Sequence, residues 1–302
     1  MTDSASGQTF TWASGWTWYR VVGELDPAAE LVPLVVLHGG PGAAHDYCQG
    51  IAELIAQTGR AVVLYDQLGC GLSQHLPDAP TEFWTPDLFM SELVALVEHL
   101  GIASRYMVIG QSWGGMLAME FALGHPVGMR AMVIADSPAS MTLWVSEANR
   151  LRAELPAEVE ATLRRHEDTG TTDDPAYEAA VNVFYDRHLC RVPSPPNVLH
   201  SFAQITAEPT VYHTMNGPSE FHVIGTLKDW DITGQLHTIT TPTLLVSGVF
   251  DEATPTIVGE IHDQIPGSRW ELFDWSSHLP HVEEPARFKT VVSAFLAEHD
   301  GA

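Results

Sequence analysis

The chain has 302 residues, 45% of them apolar and 17% charged, with a formal net charge of −24. That length suits one large core with one inserted subdomain rather than two full domains, and the balance is that of a soluble globular chain. So negative a charge, with Lys228 and Lys289 as the only lysines, argues against nucleic acid or an anionic membrane surface as a partner and would favour cationic ligands.

Other broad classes fall away on similar grounds. No run of eighteen apolar residues offers a membrane span. The start, "MTDSASGQTFTW", lacks a basic stretch followed by an apolar one, so no secretory signal is expected. Cys48, Cys70 and Cys190 are too few and too scattered for a disulfide framework or a metal site, and a reducing cytoplasm is the expected location.

In chain order, "TFTWAS" and "WTWYRVV" read as an antiparallel hairpin. Six apolar runs then predict buried strands: 33–39, 61–66, 105–110, 130–136, 242–248 and 269–274. Continuous runs of this kind suit a parallel sheet covered on both faces. Helical patterns fall between them at 44–58, 86–100, 113–124, 254–264 and 284–298. Strand–helix alternation predicts a doubly wound α/β domain with the hairpin on one edge. From about 138 to 236 the rhythm breaks and the sequence turns helical and polar. We therefore expect a core of 1–137 and 237–302, interrupted by a helical cap of 138–236.

The chemistry concentrates at strand ends. Gly110-Gln111-Ser112-Trp113-Gly114 matches G-x-S-x-G between a strand and a helix, the setting in which a strained turn lifts a serine hydroxyl above the sheet. The Trp113 N–H, at the helix start, would face a developing oxyanion. "HGGPG" (38–42) is an irregular loop after a neighbouring strand, and its Gly40 N–H is the expected second donor. A nucleophile needs a base and an orienting acid. Asp251, just past the strand at 242–248, leads as the acid, with Glu252 beside it. "SSHLPHVEEP" offers His278 in the loop and His281 at the entry to a helix; His278 is favoured as the base. No zinc-type cluster, dinucleotide fingerprint or P-loop is present, so no cofactor is expected.

"HGGPG", "YDQLGCGLS", "GQSWGG", "MNGPSEF", "TLKDWDI", "FDEATP" and "SSHLPHVEEP" together resemble the proline iminopeptidases, α/β-hydrolases of the tricorn-interacting aminopeptidase type. The resemblance implies that Ser112, Asp251 and His278 are the catalytic triad and that Gly40 and Trp113 supply the oxyanion hole. It further implies that Glu220 of "MNGPSEF" and Glu252 hold the substrate's free α-amino group. The implied function is release of an N-terminal proline, or a small apolar residue, from a peptide or aminoacyl amide. In bacteria with GC-rich genomes, family members also remove aminoacyl groups from large apolar amines of natural-product pathways. Trp144, Phe184, Tyr185, Phe202, Tyr212 and Phe221 either line an apolar pocket or form the cap's own core. A carboxylesterase or acyltransferase using the same triad is the alternative enzyme. A catalytically silent ligand receptor is the alternative of another class.

Overall fold

The computed structural model describes residues 7–26 and 28–301. The first six residues of the stretch that carried the signal-peptide reading lie outside them. Eight strands form one sheet in the order β1-β2-β4-β3-β5-β6-β7-β8. The strands are β1 (Gln8–Trp12), β2 (Gly15–Val22), β3 (Leu34–Leu37), β4 (Val62–Asp66), β5 (Tyr106–Gln111), β6 (Met129–Ala135), β7 (Thr243–Gly248) and β8 (Arg269–Phe273). The hairpin β1–β2 joins antiparallel at the β4 edge, and every other pairing is parallel.

The apolar runs work in both directions. Leu34 and Val36 of β3 enter one core cluster with α1 (Gln49–Ala56), while Val35 and Leu37 enter the other. That second cluster also takes Leu93 and Leu96 of α2 (Pro86–His99) and Met116 and Leu117 of α3 (Trp113–Leu123). Alternate side chains of a strand point to opposite faces, so a strand covered on both sides must be apolar throughout. The pattern 44–58 predicted one helix, but a 3-10 turn at His45–Cys48 precedes α1. There the His45 N–H and ring both bind the buried Asp66 carboxylate and pull the entry out of α-helical register.

The sheet continues through β6, and five helices then intervene before β7. These are α4 (Met141–Arg152), α5 (Ala157–Thr169), α6 (Pro175–His188), α7 (Pro196–Ala207) and α8 (Thr210–Met215). After β7 come α9 (Pro255–Gln264), then β8, the short α10 (Pro280–Glu283) and α11 (Pro285–Glu298). The inserted helices have their own apolar cluster, built on Leu151, Leu163, Tyr177, Phe184 and Phe221. They are tied to the sheet domain by polar contacts, including Trp230 Nε1–H to Glu120 (2.8 Å) and Thr254 Oγ1–H to Glu147 (2.7 Å). No helix among the described residues is long and apolar enough to cross a membrane.

Chain direction across the sheet reverses once. From β3 the chain moves outward to β4, then returns past β3 to β5. The loops after β3 and β5 therefore diverge and leave a crevice at the carboxyl ends of the strands, where α/β sheets bind ligands. Phe184, fully buried with its ring centroid 4.8 Å from that of Phe221, tests the cohesion of the inserted helices. Phe184→Ala should destabilise them by about 3–5 kcal/mol, seen as a lower urea midpoint for the α4–α8 unit. An unchanged midpoint would show that this cluster does not hold the insertion together.

Candidate active site

Only Ser112 separates β5 from α3, and it turns the chain with φ 55° and ψ −123°. That left-handed conformation is strained for a residue with a Cβ, and it persists because the surroundings over-determine it. The Ser112 N–H donates to Ala135 O (2.9 Å), while its carbonyl accepts from Ser137 Oγ (2.7 Å) and Gly115 N–H (2.8 Å). A Cβ on Gly114 would collide with the carbonyl oxygen of Leu37, so α3 can start this close to β3 only with glycine there.

A buried chain of neutral hydrogen bonds fixes the loop opposite. The Trp113 indole donates to Gln67 Oε1 (2.8 Å), and the Gln67 amide donates to His38 O (2.9 Å). His38 Nε2 accepts from Gln67 N–H (3.0 Å), which leaves the ring proton on Nδ1 facing Gly39 O (2.9 Å). Burial lowers the His38 pKa and keeps the ring neutral. The next turn contains Gly40 at φ 117°, in reach of the same cavity as Ser112. The Trp113 side chain is thus spent on the loop, while its main-chain N–H, at the first position of α3, needs no partner within the helix.

A second chain links that loop to the histidine. The Tyr47 hydroxyl accepts from Gly39 N–H and donates to Gln111 Oε1, and Gln111 Nε2–H donates to His278 O (2.9 Å). His278 Nδ1 lies 2.7 Å from Asp251 Oδ1, which also accepts from Ala253 N–H (2.8 Å). The carboxylate places the ring proton on Nδ1 and leaves the Nε2 lone pair for the cavity. Ser112 and His278 line that cavity together, although no hydrogen bond joins them among the described residues. Such contacts often tighten only when substrate binds. His281 is elsewhere: its Nε2 meets Tyr47 O (3.0 Å), and burial lowers its pKa to about 4.

Two further carboxyls stand near His278: Glu220 lines the cavity, and Glu252 lies beside the imidazole ring. Glu220, partly open to the cavity, accepts from the Tyr212 hydroxyl (2.6 Å), and its backbone is held by Tyr185 and Trp144. Glu252 is 1% exposed, and neither of its side-chain oxygens has a hydrogen-bond partner. Its Oε1 lies 3.8 Å from His278 Nε2. Among the described residues, no lysine or arginine pairs with either glutamate. Burial raises the Glu220 pKa, partly offset by the Tyr212 hydrogen bond. The Glu252 pKa is pushed well above the usual range, by burial first and then by Glu220 and Asp251. Two acids beside one histidine, with no lysine or arginine paired to them, suit a ligand that brings a cation.

The cavity is walled by Ala43, Leu189, Phe202, Ile205 and Leu279. Of the aromatics singled out in the sequence, Phe202 lines it. Phe184 and Phe221 belong to the core of the inserted helices, with Tyr185 packed against them. Trp144 lies in the sheet's main cluster, and the buried Tyr212 bonds Glu220. Sequence reasoning missed Tyr47, Gln67 and Gln111; the last lies inside G-x-S-x-G and could have been read as a polar strand-end side chain in need of a partner. Among the described residues, no three His, Cys, Asp or Glu side chains are arranged to hold a metal ion.

A strained serine at a strand–helix turn, opposite a histidine–aspartate pair, on this strand order, defines a class. The chain belongs to the alpha/beta hydrolase fold family, whose model matches residues 32–285. Within it, the chain belongs with the proline iminopeptidases. The "Proline iminopeptidase" of Lactobacillus helveticus (strain DPC 4571) is 37% identical over 287 residues, covering 94% of this chain and 95% of that one. That of Saccharolobus solfataricus is 38% identical, covering 87% and 84%. A crystal structure of a proline iminopeptidase from Mycobacterium smegmatis superposes with a TM-score of 0.90 at 50% identity, covering 98% and 99%. A crystal structure of VinJ gives 0.94 at 47%, with the same coverage.

The His281 pKa gives a prediction with a definite sign. Between its ordinary 6.5 and about 4, the unfolded chain binds a proton that the folded chain does not. Stability must then fall as pH drops through that window, by up to about 3 kcal/mol. His281→Gln should flatten this slope in denaturation series at several pH values and retain most activity. A dead His281→Gln enzyme would transfer the base role to His281.

Proposed function

We propose that the protein is a serine hydrolase that releases an N-terminal proline, or a small apolar residue, from a short peptide or aminoacyl amide. The observation that carries the reading is the pair of carboxyls near His278, half-buried Glu220 and buried Glu252, with no lysine or arginine among the described residues paired to either. A carboxylesterase has no need of them. A free α-ammonium would supply the missing donors and would favour ionisation of the acids it touches.

The residues take these roles. His278 Nε2 removes the Ser112 proton as Oγ attacks the carbonyl carbon. Asp251, bonded to Nδ1, orients the ring and stabilises the imidazolium. The Gly40 and Trp113 N–H groups receive the oxyanion. The imidazolium protonates the leaving nitrogen, and water then repeats the sequence to free the amino acid. The 138–236 segment acts as a cap: it carries Glu220 and the Phe202–Ile205 wall, and so restricts entry to a chain end. The apolar wall also supports an apolar leaving amine larger than a peptide's.

Three substitutions test the triad and the ammonium site separately. Ser112→Ala should fold, lose fluorophosphonate labelling and lose activity by a factor on the order of a million. Asp251→Ala should cost about ten-thousand-fold in kcat. Glu252→Gln should lower kcat/KM for a prolyl amide by roughly 10- to 150-fold, the equivalent of one charged hydrogen bond, and leave a small activated ester untouched. Equal wild-type rates on free and N-acetylated prolyl amides would remove the aminopeptidase reading and favour the esterase.

A further inference from the structure

Asp136 is an acid that the reaction scheme above does not use, and its setting is costly. It follows β6, is 1% exposed, and adopts φ 56°. Its N–H is anchored to Val246 O of β7 (2.8 Å). Neither of its carboxyl oxygens has a donor, and Asp251 Oδ2 has none either. Asp136 and Asp251 follow the neighbouring strands β6 and β7, both are buried, and Asp251 is the charge that acts most strongly on the Asp136 carboxyl. Two neighbouring buried carboxylates cannot both carry charge, because like charges in a poorly solvated space force a proton onto one of them.

The partners decide which one. Asp251 Oδ1 already accepts two N–H groups, from His278 and Ala253, and those bonds favour its ionised form. Asp136 faces Asp251 and Glu283 of α10, with His278 and Glu252 beyond Asp251; the Gly248 N–H is its one neighbouring donor and makes no hydrogen bond with it. We infer that Asp136 is a positioning residue: its carboxyl O–H donates to Asp251 Oδ2, satisfies the last free oxygen of the proposed triad acid and locks that acid's orientation toward His278 Nδ1. Burial, then Asp251 and Glu283, push the Asp136 pKa well above the usual carboxylate range, in the direction this arrangement needs. The strained turn at Asp136 has a use on the other side as well, since Ser137, the next residue, donates to the Ser112 carbonyl. One turn after β6 thereby braces both the nucleophile and the acid.

The inference rests on the triad reading, and isosteric variants separate the two. The pair holds a single negative charge, so Asp136→Asn removes no charge and keeps an N–H donor. Its kcat/KM on a prolyl anilide should stay within about threefold of wild type, with the acid limb of the pH profile unmoved. Asp136→Ala leaves Oδ2 orphaned and should fall about 10- to 100-fold below Asp136→Asn. In an Asp251→Asn background, Asp136 becomes the pair's charged member. Adding Asp136→Asn there should cost roughly tenfold or more beyond Asp251→Asn alone, a strongly non-additive cycle. An additive cycle, an Asp136→Ala variant equal to Asp136→Asn, or an acid limb that moves to lower pH in Asp136→Asn would each overturn the inference. A fully active Asp251→Ala enzyme would remove the triad reading, and this inference with it.

Discussion

Four carboxyl groups gather around one imidazole, three of them buried. Asp251 bonds His278 Nδ1, Glu252 stands 3.8 Å from Nε2, Glu220 shares the cavity, and Asp136 backs Asp251. Left ionised together they would repel one another at a cost no local packing offsets. Burial raises the pKa values of Asp136, Glu220 and Glu252, which eases that repulsion by favouring their neutral forms. In the proposed aminopeptidase reading, a substrate ammonium would exchange with a proton, coupling binding to the electrostatics around His278.

The rest of the fold holds this arrangement with neutral groups. The sheet's reversal at β3 brings three strand-end loops together, and uncharged hydrogen bonds hold them. His38, Gln67 and Trp113 fix the loop that carries Gly39 and Gly40. Tyr47 and Gln111 carry the constraint across to the His278 loop. Charged props so close to the site would shift the acids they border; amides, phenols and a neutral imidazole do not. The inserted helices add what the sheet cannot, a second carboxyl on a separately packed unit.

Much of this was legible in the sequence, for identifiable reasons. Six parallel strands and five core helices follow from apolar runs whose period is set by backbone geometry. The serine was legible because G-x-S-x-G between strand and helix has few other uses, and Asp251 and His278 because they fall at strand ends in a fixed order. Glu220 was legible only through family resemblance, since a lone glutamate in a loop carries no periodic signal. Asp136 was hidden at the end of "RAMVIAD", where it reads as the polar stop of a strand; its meaning lies in a neighbour 115 positions later. Tyr47, Gln67 and Gln111 were hidden for the same reason, because hydrogen-bond partners distant in sequence leave no local mark. The aromatics of the insertion were ambiguous because core and pocket lining have one composition.

On the proposed reading, Glu220 and Glu252 exchange protons for a substrate ammonium. Titration calorimetry of Ser112→Ala protein with L-prolinamide, at neutral pH in buffers of different ionisation enthalpy, measures that exchange directly. The account predicts binding accompanied by proton release, because the ammonium lowers the raised pKa values of the Glu220–Glu252 pair, and weaker binding without release for N-acetyl-L-prolinamide. Equal affinity for the two ligands, with no protons released by either, would contradict it.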